Sequence, residues 1–329
     1  MIGTGGTIAS RRVGEAVVAQ VPAEELLATA DLSGLPASVE VTAQDLGTSP
    51  SFALTLAQIA EVALTACRAL DDGAGAVAVS HGTDSMEETT FLLDLLHTGE
   101  QPVGVTGAQR PFDDADPDGP RNLTDLLRVL ASPEARGRGA LLVFDGEAWP
   151  AVGVRKVHTT ELRAFAAPAG PCLRVGSHGV ETVADPPARG AVPGALEAVR
   201  ERGLVPVDVV ATVPGSDGAA LAALIDRGSR GVVLQGLGIG NVSPADTEQV
   251  RRAVGLGVPV LLTTRVAHGP VRAVYGGGGG VDLRRAGAVL AGSQTTAQAR
   301  ILLSVALALR PHAPADVLGP WLARHEHDA

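Results

Sequence analysis

Lysine is nearly missing from this sequence: of 26 basic side chains in 329 residues one is a lysine, Lys156, and the rest are arginines. A background that writes arginine almost everywhere points to a need for an amine at this position. An amine can release its proton when desolvated, whereas a guanidinium cannot. The bland alternative is a chance survivor on a solvated face. There are only two cysteines, Cys67 and Cys172, each beside apolar residues. Two thiols are too few for a disulfide framework or a thiolate metal site, and they read as small buried hydrophobes in a reducing compartment. No apolar run approaches the roughly 20 residues that span a bilayer, which argues against a membrane protein. The net charge is −10 and no cluster of basic residues offers a stripe for phosphate backbones, which argues against nucleic acid as a partner. The chain opens Met1-Ile2-Gly3-Thr4 without a basic or apolar leader, an opening that reads as cytoplasmic. Because a Gly-rich turn usually follows a complete strand, either the start is misplaced by several residues or the first strand is a stub.

What is there suffices for about two hydrophobic cores. Strands are expected over residues 39–46, 75–80, 102–106 and 139–144, apolar runs with no long polar face, hence buried on both sides. Helices are expected over 55–70 and 85–97, the second with Met86, Leu92, Leu93 and Leu96 on one stripe. This alternation gives an α/β class with a parallel sheet. Residues 149–183 read as hairpins broken by Gly and Pro, and 184–206 as a linker with one short helix. The alternation then restarts: strands at 207–213, 232–237 and 258–263, helices at 219–227 and 244–254. The expected division is a catalytic α/β domain over 1–188, a linker over 189–206 and a smaller α/β domain over 207–329. The helix at 297–309 is apolar on almost every side, so the fold or another subunit must enclose it, and an oligomer is favoured on that ground. Five glycines at 276–280 read as a flexible hinge, or as a close approach of backbone to a ligand or a neighbouring subunit.

Gly3-Thr4-Gly5-Gly6-Thr7-Ile8-Ala9-Ser10 invites a nucleotide-binding reading and fails it. A dinucleotide fingerprint needs glycine at position 8, and a phosphate loop needs a lysine that is not there. What remains is a turn that presents the hydroxyls of Thr4 and Thr7. Ser80-His81-Gly82-Thr83-Asp84-Ser85-Met86-Glu87-Glu88 lies where a strand ends and a helix begins, the edge at which open α/β sheets bind ligands. Thr83 or Asp84 can cap the helix, and Glu87 and Glu88 suit its positive end. The functional alternative gives Thr83 a second hydroxyl role, with the Asp84 carboxylate gripping an ammonium group or holding a lysine. Among candidate bases, His312, His325 and His327 lie in a polar tail and His97 at a helix end, while His81 is a packed core residue or a ligand contact. His158 shares a face with Lys156 if that segment is extended. A Thr–Lys–Asp arrangement is therefore as available as Ser–His–Asp. No metal-ligand spacing of the HExxH or CxxC kind occurs, and no cofactor is expected. Asn241, in Gly236-Leu237-Gly238-Ile239-Gly240-Asn241, is either a turn residue or a hydrogen-bonding partner for a polar substrate.

In order, the segments Thr4-Gly5-Gly6-Thr7-Ile8-Ala9, His81 to Thr89 (HGTDSMEET), Gly107-Ala108-Gln109-Arg110-Pro111, Asp118-Gly119-Pro120-Arg121-Asn122-Leu123, and Lys156 before Thr159-Thr160 resemble the bacterial-type L-asparaginase family of Thr-dependent amidohydrolases. The resemblance covers nearly the whole chain. It implies a larger N-terminal flavodoxin-like domain and a smaller C-terminal α/β domain, and hydrolysis of L-asparagine through an acyl-enzyme on Thr7. Thr83, Asp84 and Lys156 would assist proton transfer. Ala43, Gln44, Gly82, Thr83, Asp84 and Ala108 would line the substrate site, and Asn241 would approach from the other subunit of a homodimer, two of which make a homotetramer. There are departures. The family's lid carries a tyrosine, whereas residues 10–20 hold none. Ala43 stands where a serine often precedes the substrate-binding glutamine, and the acidic residue that a partner subunit often contributes falls within the glycine run at 276–280. A glutaminase or other small-amide amidase, or a catalytically weak amino-acid-binding protein, are the alternatives these departures raise. A tRNA amidotransferase subunit lacks support for want of a basic face.

Overall fold

The apolar runs ending at Ser80, Thr106 and Phe144 carry no long polar face, and only a sheet covered on both sides hides such strands from water. The computed structural model describes residues 1–325, so His327 lies outside the described residues. The chain divides into two units, Met1–Pro193 and Gly194–Ala329. In chain order the first contains β1 (Ile2–Gly3), β2 (Ser10–Val13), β3 (Ala16–Ala19), α1 (Ala23–Leu27), β4 (Gln44–Asp45), α2 (Leu56–Asp71), β5 (Val77–Ser80), α3 (Met86–Leu96), β6 (Val103–Thr106), α4 (Gly119–Ala131), β7 (Ala140–Phe144), β8 (Glu147–Pro150), β9 (Arg155–Lys156), β10 (Phe165–Ala166), β11 (Leu173–Gly176) and β12 (Gly179–Thr182). Eight of these strands form one sheet in the order β12-β11-β8-β7-β6-β5-β1-β4. The run β4-β1-β5-β6-β7 is parallel, and the hairpin strands β8, β11 and β12 extend the same sheet antiparallel. Ala78, Leu141 and Val143 share a core with Leu123, Leu126 and Leu130 of α4. Helix α3 contacts β6 and β7 without entering that core, so it covers the other face beside α2.

Sequence reading and structure part company at instructive places. Of the strand expected over 39–46 only Gln44–Asp45 is formed, because a parallel strand needs a neighbour and β1 offers two residues, pairing Ile2 with Gln44 and Gly3 with Asp45. Below Met1 and Ile2 a cavity of about 580 Å³ opens between residues 38–44 and 74–78, floored by Leu127 and Leu130, and none of Thr7, Thr83, Asp84 or Lys156 lines it. Helix α3 is buried from Thr89 to Leu96 on all sides, wider than the expected stripe.

The second unit contains α5 (Ala195–Arg202), β13 (Asp208–Ala211), α6 (Ala219–Asp226), β14 (Val232–Gly236), α7 (Pro244–Gly255), β15 (Val260–Thr264), α8 (Gly280–Arg285), β16 (Val289–Leu290), α9 (Thr296–Leu309) and α10 (Ala315–Arg324). Its four strands are all parallel, in the order β13-β14-β15-β16. Helix α9, buried from Ile301 to Ala308, is covered by α5, α10 and the strands of its own unit. Its apolarity therefore carries no argument for a second subunit. The polar tail is folded where it is described: α10 buries Leu318 and Trp321, and His325 stacks on the Trp321 ring at 3.9 Å. The glycine run is no free hinge, since a Cβ at Gly278 would lie 2.7 Å from the Val242 carbonyl oxygen and Gly280 begins α8.

Buried Asp94 of α3 pins two segments, accepting the N–H of Ala140 at 3.0 Å and of Gly190 at 2.6 Å. Asp94→Ala removes the acceptor that both N–H groups share, and is expected to lower the unfolding free energy by about 2–4 kcal/mol, read by urea melts. A loss under about 0.5 kcal/mol would contradict this role.

Candidate active site

The site begins where β1 and β5 end side by side. Thr4 donates both its N–H and its hydroxyl to the Ser80 carbonyl, at 3.1 and 3.0 Å, which ties the first loop to the end of β5. The chain then turns through Gly5 (φ 94°) and Gly6 (φ 81°), left-handed conformations that favour glycine. Space demands glycine as well: a Cβ at Gly6 would overlap the backbone of Gly82, and one at Gly5 would lie 2.7 Å from the Ser49 carbonyl oxygen. This close approach sets Thr7, the half-buried first residue of a short 3₁₀ turn, beside the loop that carries Thr83. Gly6→Ala combines a left-handed strain of about 1–2 kcal/mol with overpacking of similar size. It is expected to destabilise the fold by roughly 2–4 kcal/mol in urea melts and to remove any activity that needs both loops. Unchanged stability would mean that the loops do not touch.

The decisive geometry joins two segments far apart in sequence. Lys156 sits on β9, which among the described residues pairs only with β10, opposite Phe165, itself packed against Phe144 at 5.2 Å between ring centres. Its ammonium donates to Thr83 Oγ1 at 2.8 Å and to Asp84 Oδ1 at 2.9 Å. Two of its three donors are thus engaged. Thr83 is 5% exposed, and the Asp84 N–H is held by the Ser51 hydroxyl at 3.2 Å. The main-chain N–H of Lys156 goes to Glu87 Oε2 at 2.7 Å.

His81 is a packed core residue. Nδ1 lies 2.7 Å from the Gly82 carbonyl and Nε2 3.0 Å from the Thr89 hydroxyl, which assigns the proton to Nδ1 and leaves Nε2 as acceptor. Burial pushes this imidazole down to about 4, so it stays neutral in the fold. The unfolded chain binds that proton near 6.5, so His81 contributes stability above that value that is lost as the pH falls toward 4. The difference in urea unfolding free energy between the wild type and His81→Gln is expected to shrink by up to roughly 3 kcal/mol between pH 7 and 4. A difference independent of pH would contradict it. His158 is exposed and accepts the N–H groups of Thr160 and Glu161, so it does not share a working face with Lys156. His97 closes α3, its Nε2 2.7 Å from the Gln101 carbonyl.

The remaining candidates distribute between the units. Gln44 lies on β4 beside β1, with Ala43 before it, and Gly82 is the residue against which Gly6 packs. Ala108 is fully buried at the end of β6, in a loop clamped by Asp118, whose carboxylate accepts the N–H of Gln109 at 3.0 Å and of Arg110 at 2.9 Å. Asn241 belongs to the second unit, where its buried Oδ1 has no hydrogen-bonding partner among the described residues. Residues 10–19 form a β-hairpin, β2–β3, with Val13, Val17 and Val18 exposed. Spacing does not mark Ser51 or Glu87 as site residues, since each acts on a segment brought near only by the fold, and the Asp118 motif does not by itself say that its carboxylate holds the loop at Gln109 and Arg110. Among the described residues, no group of three or more His, Cys, Asp or Glu could hold a metal ion.

Residues 1–187 match the family described as "Asparaginase, N-terminal", and 206–316 match "Glutaminase/Asparaginase C-terminal domain". The chain belongs to the asparaginase family. It is 32% identical to the "L-asparaginase" of Bacillus licheniformis over 316 residues, 94% of each chain. It is 36% identical to the "Probable L-asparaginase" of Deinococcus radiodurans, over 94% of this chain and 92% of that one. The asparaginase fold is matched by a solved structure from Campylobacter jejuni, named "Probable Cytoplasmic L-asparaginase", with a TM-score of 0.84 at 24% identity over 98% of both chains.

Proposed function

We propose that this asparaginase-family chain hydrolyses L-asparagine to L-aspartate and ammonia, with Thr7 as nucleophile and Thr83, Lys156 and Asp84 as the proton-transfer group. The observation that carries the reading is the hydrogen-bonded chain from Thr83 through the Lys156 ammonium to Asp84, beside the loop that presents Thr7. Thr7 Oγ attacks the side-chain carboxamide carbon, and backbone N–H groups at the strand ends stabilise the oxyanion. The C–N bond breaks as the nitrogen takes up the proton that Thr7 gave up, and ammonia leaves an ester on Thr7. Water then adds its hydroxyl to the acyl carbon and returns its proton to Thr7 Oγ, releasing aspartate. Lys156 mediates these transfers at Thr83 Oγ1, and Asp84 holds the positive charge. Ala43, Gln44, Gly82 and Ala108 line the substrate site in this reading. Asn241, with its unpaired buried oxygen, is supplied by a second subunit of a homodimer or homotetramer. No cofactor enters any step. The two cysteines, both buried, fit a reducing, cytoplasmic setting.

A second reading, glutaminase or another small-amide amidase, is favoured by two observations: Ala43 offers no hydroxyl, and the hairpin β2–β3 holds no tyrosine. A third, an amino-acid-binding protein with little turnover, predicts binding of aspartate or asparagine without ammonia release. Ammonia release from L-asparagine and L-glutamine decides among them. Wild type is expected to turn over asparagine, while Thr7→Ala, Thr83→Ala and Lys156→Met each lose about 10³-fold or more in kcat/KM. Lys156→Arg is expected to fail as well, since a guanidinium keeps its proton. Turnover unchanged by Thr7→Ala would overturn the mechanism, and faster release from glutamine would move the assignment to the second reading.

A further inference from the structure

We propose that Glu87 is a positioning residue that clamps the main chain of Lys156 and so sets the reach of its ammonium; as a role in turnover this rests on the amidohydrolase reading above. By sequence Glu87 belongs to the first turn of α3, where a carboxylate is accounted for by the helix dipole alone. In the fold its Oε2 instead accepts the N–H of Lys156 at 2.7 Å, across 69 residues of sequence. Strand β9 needs such a tether. It is two residues long and, among the described residues, pairs only with β10, in a sheet of two strands separate from the main one. The lysine stem is long and flexible, so its head reaches a fixed point only if its root is fixed too. The start of α3 grips both ends: Thr83 and Asp84, just before the helix, take the ammonium, and Glu87, in its first turn, takes the main-chain N–H.

The clamp is sensitive to charge. Burial, and then the charge of neighbouring Glu88 on the same helix, push the Glu87 carboxyl up to about 7, against the opposing pull of the Lys156 N–H and of the Arg155 and Lys156 charges on β9. An ionised acceptor makes a shorter hydrogen bond, roughly twice as strong as a neutral one. The grip on Lys156 therefore tightens as the pH rises through about 7 and loosens below it.

The composition makes this unusually direct to observe. Because the chain has one lysine, supplying [¹⁵N]lysine yields a single backbone amide signal, that of Lys156 itself. In the full-length wild type this signal is expected to shift with pH about a midpoint near 7, and in Glu87→Gln to be flat across the same range. For turnover of asparagine, Glu87→Met, which has no acceptor, is expected to lose about 10²-fold in kcat with KM little changed, the penalty of a misplaced reacting group. Glu87→Gln, which keeps a neutral acceptor, is expected to recover most of the loss at pH 6 and less of it at pH 8. An amide signal that does not titrate in wild type, or titrates alike in Glu87→Gln, overturns the clamp. So does a kcat for Glu87→Met equal to that of wild type. A titrating amide in a wild type that releases no ammonia would instead support the clamp and overturn the amidase reading, so the two failures are told apart.

Discussion

One ammonium group, the Nζ of Lys156, lies between Thr83 Oγ1 and Asp84 Oδ1, and the reactive arrangement depends on that bridge. It does little for stability. The Lys156 side chain is 20% exposed and that of Asp84 52%, and a pair so accessible to water is worth about 0–1 kcal/mol. The bridge matters through position and charge, since it aligns a proton carrier with a hydroxyl that is almost fully buried. That explains why a chain with arginine at its other basic positions keeps an amine here, where a guanidinium could neither fit the same two acceptors as a point charge nor release its proton.

A second constraint, purely steric, brings the two hydroxyls together. The sheet order places β1 beside β5, and both strands end at the same edge. Beyond that edge Gly6 meets Gly82 backbone to backbone, with Ser51 also pressed against Gly82 and holding the Asp84 N–H. Loops are usually the variable part of such a fold, yet here each is fixed by backbone contact or by a buried acceptor, Asp118 doing for the loop after β6 what Ser51 does for the loop after β5. Preorganisation of this kind is what lets backbone N–H groups act on a developing oxyanion without rearranging.

Much of this was legible from residues alone. The runs ending at Ser80, Thr106 and Phe144 are strands because nothing in them tolerates water, and the loops after the first two carry the motifs that the family shares. What was not legible depends on contacts between distant segments. The stretch 39–46 reads as one long strand, but its length is decided by the two residues of β1 available to pair with it. Helix 297–309 reads as enclosed by the fold or by another subunit, and sequence cannot say that α5 and α10 fold over it. An extended segment would put His158 on one face with Lys156, but β9 ends at Lys156 and the histidine turns to cap its own loop. Glu87 has a complete local explanation as a helix-dipole residue, so nothing in the sequence asked for another.

The central claim is that the amine of Lys156, acting at Thr83 beside Thr7, moves the protons of amide hydrolysis. Chemical rescue tests it most directly: Lys156→Ala opens space where a small primary amine in solution can stand in for the missing Nζ. Aspartate formation from asparagine by this variant is expected to be nearly absent alone and to rise with added methylamine or ethylamine, with a dependence on the amine's basicity, while Thr7→Ala stays inactive under the same conditions. A Lys156→Ala variant that is folded and as active as wild type, or one that no amine of any size restores, would contradict the account.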